Sequence, residues 1–377
     1  MNVLIIARGY PTNKYKMNGI FEFDQAKALV EAGHNVFYAA IDLRSLRRWR
    51  KWGIERKSID GVNIYAINIP CGRIPKIVLR KIAFFGLRII YNKIIKDYRK
   101  PDIMHAHFTF FSYIATKLKE ETNIPLVITE HSSQINKENI NNDLYSIAKI
   151  AYSKANALIA VSPYLAMMIF KNFNKESICI PNIVDLDMFE YKEKIERQNF
   201  NFVSVGNLIE NKRMDLLIEA YYRVFGNNPR VTLSIFGQGP ERKMLESLIN
   251  KYGLNSQIKL MGLCTRERIA EQFKKSDCFV LVSKSETFGV AYVEALACGI
   301  PVIATRCGGP EMFVNANNGL MIDINDIEQL TEAMDYMYNH IDNYNRKDIS
   351  MEIRKKFSAK VVATELTNLY RKILITQ

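Results

Sequence analysis

The sequence predicts an α/β protein made of two doubly wound domains, and three observations support this. At 377 residues the chain is too long for one ordinary doubly wound domain and suits two. Short apolar runs of strand length recur with helical patterns between them, the mark of a parallel sheet covered on both faces. Between the halves, YKEKIERQN (191–199) is charged and has no apolar periodicity, so a linker is placed there.

In the first half the strand candidates are VLIIA (3–7), NVFYAAI (35–41), NIYAINI (63–69), DIMHAH (102–107), PLVIT (125–129), ALIAV (157–161) and SICI (177–180). In the second they are NFVSVG (201–206), VTLSIFG (231–237), QIKLMG (257–262), CFVLVS (278–283) and PVIAT (301–305). Helical patterns such as MDLLIEAYYRVF (214–225) and ERIAEQFKKS (267–276) separate them. The chain therefore divides into 1–190, 191–355 and a last helical segment, 356–377. Two such domains bind ligands at the carboxyl ends of their strands, in the cleft between them.

Hydrophobic residues make up 48% and charged residues 24%, an ordinary globular balance. No run of eighteen apolar residues occurs, so no membrane-spanning helix is expected. The start, MNVLIIARGYP, reads as a buried strand and not as a secretory leader. Cys71, Cys179, Cys264, Cys278, Cys298 and Cys307 form no C-x-x-C pair. Reduced thiols of a cytosolic protein are expected, with neither a disulfide framework nor a zinc site.

The net charge of +13 is concentrated. Between Arg44 and Lys100 sixteen Lys or Arg face only Glu55, Asp60 and Asp97, an excess equal to that of the whole chain. RSLRRWRKWGIERK (44–57) sets Trp49 and Trp52 among Arg47, Arg48, Arg50 and Lys51, a composition suited to anionic lipid headgroups. The stretch 75–100 reads as a helix with a basic face and a broad apolar face. Its residues 82–95 suit a core helix, so membrane contact is placed near 44–57 and 73–81. No nucleic-acid motif accompanies the charge.

The sharpest chemical signal is SKSETFGVAYVEALACGIPVIAT (283–305). It reads as a strand, a loop carrying Glu286, and a helix ending at Gly299. The backbone N–H groups of Phe288, Gly289 and Val290 open that helix, where unpaired donors and the helix dipole suit a phosphate. Val290 and Glu294 share a face, and the Glu294 carboxylate can accept from two ribose hydroxyls. Two solvated glutamates on a surface helix are the plain alternative. The flanking Gly289, Gly299 and Pro301 favour a site.

This segment resembles the E-x7-E motif of family-4 retaining glycosyltransferases, of the bacterial cell-surface polysaccharide type, which have the GT-B fold. The resemblance implies that Glu286 touches the transferred sugar and Glu294 the ribose, with Thr287 in the donor-binding loop. VGNLIENKRMDLLIEA (205–220) resembles the family's phosphate-binding turn. Lys212 matches its lysine; Asn207 stands where an arginine is usual, and Arg213 where a glycine is usual. IFGQGPERKMLESL (235–248), GGPEMF (308–313) and NNGLMI (317–322) also match, with Glu311 expected to fix its turn. In GYPTNKYKMNGIFEFDQAKALVEAGHNV (9–36), Gly19 lets donor phosphates or acceptor approach the backbone, or is an ordinary loop glycine; His34 is expected to be structural. In TEHSS (129–133), His131 matches a histidine that contacts the donor sugar.

His105 and His107 share a strand face but lack a third metal ligand, so a structural or acceptor-side role is expected. Asp185 and Asp187 form a D-x-D, used elsewhere to hold a metal. Here they fall in a segment resembling the family's P-N-G-V-D turn, so no catalytic metal or other cofactor is expected. The resemblance implies transfer of a sugar from a UDP- or GDP-linked donor to a glycan or lipid-linked acceptor, at the inner face of the membrane. A sugar-nucleotide epimerase of similar architecture, or a non-catalytic sugar-nucleotide-binding protein, is the alternative.

Overall fold

A computed structural model describes residues 1–43, 52–72, 74–137, 139–193 and 199–376. The chain forms two compact units, one of Met1–Ile183 with Ala359–Gln377, the other of Val184–Ser358. The first boundary thus falls between Ile183 and Val184, ahead of the charged segment at 191–199, of which 194–198 lie outside the described residues.

The first unit runs β1 (Asn2–Ala7), α1 (Ile20–Glu31), β2 (Asn35–Asp42), β3 (Gly53–Ile59), β4 (Val62–Asn68), α2 (Lys76–Asp97), β5 (Ile103–His107), α3 (Phe108–Thr122), β6 (Leu126–Glu130), α4 (Asn142–Lys154), β7 (Ala157–Ala160), α5 (Pro163–Phe173) and β8 (Ile178–Cys179). The second runs β9 (Phe200–Val205), α6 (Met214–Phe225), β10 (Val231–Phe236), α7 (Arg242–Lys251), β11 (Ile258–Gly262), α8 (Arg266–Phe273), β12 (Cys278–Leu281), α9 (Val290–Ala297), β13 (Val302–Thr305), β14 (Gly319–Ile322), α10 (Ile327–His340) and α11 (Arg346–Phe357). A last helix, α12 (Ala359–Ile375), belongs to the first unit.

The sheet orders are β3-β4-β2-β1-β5-β6-β7-β8 and β11-β10-β9-β12-β13-β14. Val3 to Ala7 and Cys278 to Leu281 are wholly buried, as strands covered on both faces must be. Among the described strands all pairings are parallel except β3 with β4. The apolar runs did not announce β3. Its sequence GIERKSI buries no residue fully, because it is an edge strand whose charges keep that edge from pairing further. It lies in the basic stretch read for membrane contact.

Helix starts follow local chemistry. Ser162 Oγ accepts from Leu165 N at 3.2 Å ahead of Pro163 in the first turn of α5. Asp326 Oδ1 accepts from Gln329 N at 2.9 Å before α10. In α12, Val362, Leu366, Tyr370 and Ile373 fall on one face and join the core of β1, β2 and β5. His34 Nε2 meets Thr367 Oγ1 of that helix at 2.8 Å, so this histidine ties a turn to α12.

Leu366 is 1% exposed in that core. Leu366→Ala removes its side chain from a packed interior and is expected to cost about 2–5 kcal/mol. Denaturant unfolding monitored by circular dichroism checks this. A change within about 0.5 kcal/mol, the range of ordinary surface substitutions, would show that α12 is not part of the stable core.

Candidate active site

In the second unit the strand order reverses between β9 and β12. From β9 the chain winds outward to β10 and β11, and from β12 it winds the other way to β13 and β14. The loops leaving these two neighbours diverge, which opens a crevice at their carboxyl ends. Lys212 ends a 3₁₀ turn after β9, and Glu286 sits in the loop after β12.

The two loops are tied together. Lys284 N donates to Asn211 O at 2.8 Å, and Asn211 Nδ2 donates to Ser285 O at 3.0 Å. This closure brings Lys212 Nζ onto Glu286 Oε1, and Ser283 Oγ donates to the same oxygen at 2.6 Å. Both charged side chains are largely buried. The Glu286 backbone is fixed as well: its N–H donates to Cys307 O at 3.1 Å and its carbonyl accepts from Gly309 N at 3.0 Å. Glu311 accepts from Gly308 N with both oxygens, at 3.0 and 2.9 Å, and so holds this turn. The arrangement presents an anchored ammonium to any anion entering the crevice, with a carboxylate beside it.

Gly289 caps α9 at φ 93°, a backbone that favours glycine. Phe288 is buried against Phe313 and Phe357, so it can offer a ligand only its backbone, while Thr287 and Val290 are half-buried. One turn on, Glu294 Oε1 accepts from Arg266 Nη2 at 2.9 Å, and the Arg266 guanidinium lies 5.5 Å from the Phe189 ring centre. Neither Ser283 nor Arg266 stood out in the sequence: one is a serine in a loop of serines, and the other is brought in by packing of α8 on α9. Asn207 is exposed. Arg213 is turned onto Asp215, with Nε to Oδ1 at 3.1 Å, and onto Asn325, so its guanidinium is engaged away from Glu286. Asp185 Oδ1 accepts from Met188 N at 3.3 Å within its turn, and Asp187 is exposed, 3.9 Å from Arg354.

In the first unit the order reverses between β1 and β5. The carboxyl ends here carry three histidines. His105 and His107 stack at 4.7 Å, and His107 stacks on His131 at 5.2 Å. His131 follows β6 directly. Phe108 adopts φ 63°, a costly backbone for a bulky residue, and this turns the chain from β5 straight into α3. Its ring lies 4.8 Å from His131 and 4.6 Å beneath the Arg8 guanidinium. Arg8 also pairs with fully buried Glu22 at 3.4 Å. Burial pushes the Glu22 carboxyl up, and Arg8 opposes it.

Burial pushes His105 and His131 down to about 3 and His107 well below its usual value, so all three rings are neutral near pH 7. Gly19, expected to admit donor or acceptor, is buried, and a Cβ there would lie 2.1 Å from Gly9 O. Its φ of 67° and its missing side chain serve loop packing, so the ordinary structural reading of this glycine is the one the structure supports.

Of the basic stretch, Arg47, Arg48, Trp49, Arg50 and Lys51 lie outside the described residues, and Trp52 is 56% exposed. On α2, Ile77 and Phe85 are each 64% exposed beside exposed Lys76, Lys81 and Arg88. Asp143 pairs with Arg80 at 2.8 Å and Lys76 at 3.3 Å, which neutralises part of this charge. Among the described residues no helix is long and apolar enough to cross a membrane.

Comparison with known proteins agrees with this geometry. Residues 187–356 match the family model described as glycosyl transferases group 1, and residues 23–188 match that of Glycosyltransferase Family 4. A glycosyltransferase of Methanocaldococcus jannaschii is 30% identical over 280 residues, covering 72% of this chain and 76% of that one. Among solved structures, sucrose-phosphate synthase from Thermosynechococcus elongatus superposes with a TM-score of 0.81 at 18% identity, over 100% of both chains. The Anabaena protein HepE, solved with UDP and glucose, gives 0.75 at 17% identity over 98% of this chain and 99% of that one.

The neutral histidines give a pH dependence. Below about 6.5 the unfolded chain takes up protons that the folded rings refuse until about 3, so stability falls as pH drops through that window. The expected slope is on the order of 1 kcal/mol per pH unit per ring. Ring resonances followed by NMR from pH 8 to pH 5 should show His105 and His131 not titrating. A midpoint near 6.5 for either would mean that its ring is solvated.

Proposed function

Since the chain belongs to glycosyltransferase family 4 and has the GT-B fold, we propose that it moves a sugar from a nucleoside diphosphate to an acceptor hydroxyl with retained anomeric configuration. The observation that carries this is the convergence of Lys212, Ser283 and Glu286 at the strand reversal of the second unit, with Glu294 one turn into the adjoining helix.

The bond from the sugar's anomeric carbon to the diphosphate oxygen breaks, and negative charge grows on that oxygen. The Lys212 ammonium and the N–H groups of Phe288, Gly289 and Val290 meet that charge, an electrostatic contribution made where charge develops. The acceptor oxygen bonds to the same face of the anomeric carbon, and its proton passes to the departing phosphate oxygen. Glu286 touches the transferred sugar, Glu294 accepts from the ribose hydroxyls, and His131 contacts the sugar. Lys212 and the backbone donors answer the diphosphate charge without a metal ion. The presence of UDP and glucose in HepE favours a UDP-linked donor as the first to try.

The acceptor is a glycan or a lipid-linked species of cell-surface polysaccharide synthesis. The support is Trp52, Ile77 and Phe85 exposed among cations in the stretch that holds the whole excess charge. Such a surface suits the inner, anionic face of a membrane, where each engaged Lys or Arg contributes about 1 kcal/mol.

Two experiments test these readings. By calorimetry, Glu294→Ala should weaken UDP and uridine alike, whereas Lys212→Ala should weaken UDP on the order of tenfold and uridine little. Unchanged affinity in both folded variants removes the donor site, and activity abolished by EDTA and restored by magnesium removes the metal-free reading. In co-sedimentation, binding to vesicles should rise with anionic lipid, fall with salt, and drop when Arg47, Arg48, Arg50 and Lys51 are changed to Glu. Indifference to anionic vesicles at low salt would point to a soluble acceptor.

A further inference from the structure

Arg8 is the first residue after β1, at the strand reversal between β1 and β5, and no step of the proposed transfer uses it. Its side chain is 43% exposed, yet it is held on several sides. Nε lies 3.4 Å from Oε1 of Glu22, a wholly buried carboxylate on α1. The guanidinium face lies 4.6 Å from the centre of the Phe108 ring. The backbone beside it is fixed by the buried Tyr38, whose hydroxyl donates to Gly9 O at 2.8 Å. Among the described residues, the two Nη groups of Arg8 have no hydrogen-bond partner.

Stability alone does not account for this arrangement. A buried ion pair can often be replaced by apolar residues without loss, because desolvation offsets the attraction. Glu22 is such a group: burial pushes its carboxyl up, and Arg8 is the cation that opposes the push. What the carboxylate supplies is direction. With Nε turned to Glu22, the edge formed by Nη1 and Nη2 is the one left to solvent. Phe108 supplies the floor, and it does so from a φ of 63°, a backbone that a bulky residue adopts at a cost. The neighbouring charges leave that edge open. His107 and His131 are neutral, in part because Arg8 is close, and Asp24 on α1 is answered by Lys27 at 3.3 Å.

We infer that Arg8 is an oxyanion-binding residue of the first unit, its Nη1–Nη2 edge taking two oxygens of a phosphate or carboxylate group, with Glu22 and Phe108 as the positioning residues that hold the guanidinium ready. The planar fork of an arginine matches two oxygens of such a group. A side chain already fixed also loses less freedom when the anion arrives. The anionic group belongs to the acceptor, since the donor diphosphate is answered in the second unit by Lys212 and the N–H groups that open α9. This last assignment rests on the transferase reading above; the oxyanion site itself does not.

The test is a proton–nitrogen NMR spectrum of the full-length protein with labelled arginine, in which the Arg8 side-chain signal is the one lost in Arg8→Lys. Inorganic phosphate and acetate are titrated separately, against sodium chloride at the same ionic strength. The Arg8 signal should shift and saturate with phosphate or acetate, and the tighter of the two names the group. The response should persist in Lys212→Ala, where the cation of the second unit is gone. A response no larger than that to chloride, or one lost with Lys212, would overturn the site. Binding to variants is read on the Phe108 ring signals. Arg8→Lys keeps the cation but not the fork, and should weaken the anion severalfold; equal affinity would show that the fork is not used. Glu22→Gln keeps the shape and removes the charge, while the partly exposed Arg8 stays solvated. If Glu22 positions Arg8, the anion should bind severalfold more weakly even though a repelling carboxylate has gone. Tighter binding would make Glu22 a competitor and end its positioning role.

UDP separates acceptor from donor. By calorimetry it should bind the native protein and Arg8→Lys equally. Weaker binding in Arg8→Lys would put the donor diphosphate on Arg8 and overturn the assignment to the acceptor. If UDP does not bind the native protein, the transferase reading fails, while the arginine spectrum still decides the oxyanion site.

Discussion

Parallel strands joined by helical crossovers set the terms for everything else in this protein. Such a crossover returns each strand in the same direction, so all the strand-to-helix loops gather at the carboxyl ends. Where the winding reverses, two neighbouring loops are driven apart and polar groups there escape the packing of the sheet. Both units obey this. The reversal between β9 and β12 holds Lys212 and Glu286, and that between β1 and β5 holds Arg8, His105 and His107.

The two reversals solve the problem of burying polar groups differently. In the second unit a charged pair is set at the crevice, with Ser283 and Lys212 converging on one carboxylate oxygen. A charge so placed costs little as long as its partner stays, and an incoming diphosphate would offer Lys212 a second anion. In the first unit burial leaves all three histidine rings neutral, and hydrogen bonds among Tyr370, His105, Gln25, His107 and His131 take the place of charge. Helix α12 enters this arrangement through Tyr370, so a segment at the far end of the sequence helps to set the chemistry of β5 and β6.

The second-unit site was the more legible in sequence because its parts lie within short reach of one another. A strand, a loop glutamate, Gly289 and a second glutamate one helical turn into the helix are a contiguous pattern, and the structure places Gly289 at the start of α9 and Gly299 just past its end. Lys212 needed only a neighbouring strand to reach Glu286. Gly19 was harder to interpret, since a glycine that admits a ligand and one that admits another backbone atom look alike in sequence. Here Gly9 O occupies the space. Arg213 likewise shares its charge with any phosphate binder, but Asp215, two residues on, claims it.

By itself the sequence determined the alternation of strand and helix, the division into two units and the positions of Glu286, Glu294 and Lys212 in their loops and turns. These are properties of local periodicity, of glycine placement and of residue type, and each is fixed by neighbours along the chain. Only the tertiary structure decided which partners those residues take: Ser283 on Glu286, Arg266 on Glu294, Gln25 and Tyr370 on the histidines, and the edge strand β3 hidden in a run of charges. The pairing of Tyr370 with His105 spans 265 residues of sequence, and no local pattern can encode it. Those contacts exist only once α12 and α1 have closed on the sheet, because Tyr370 and Gln25 belong to these two helices.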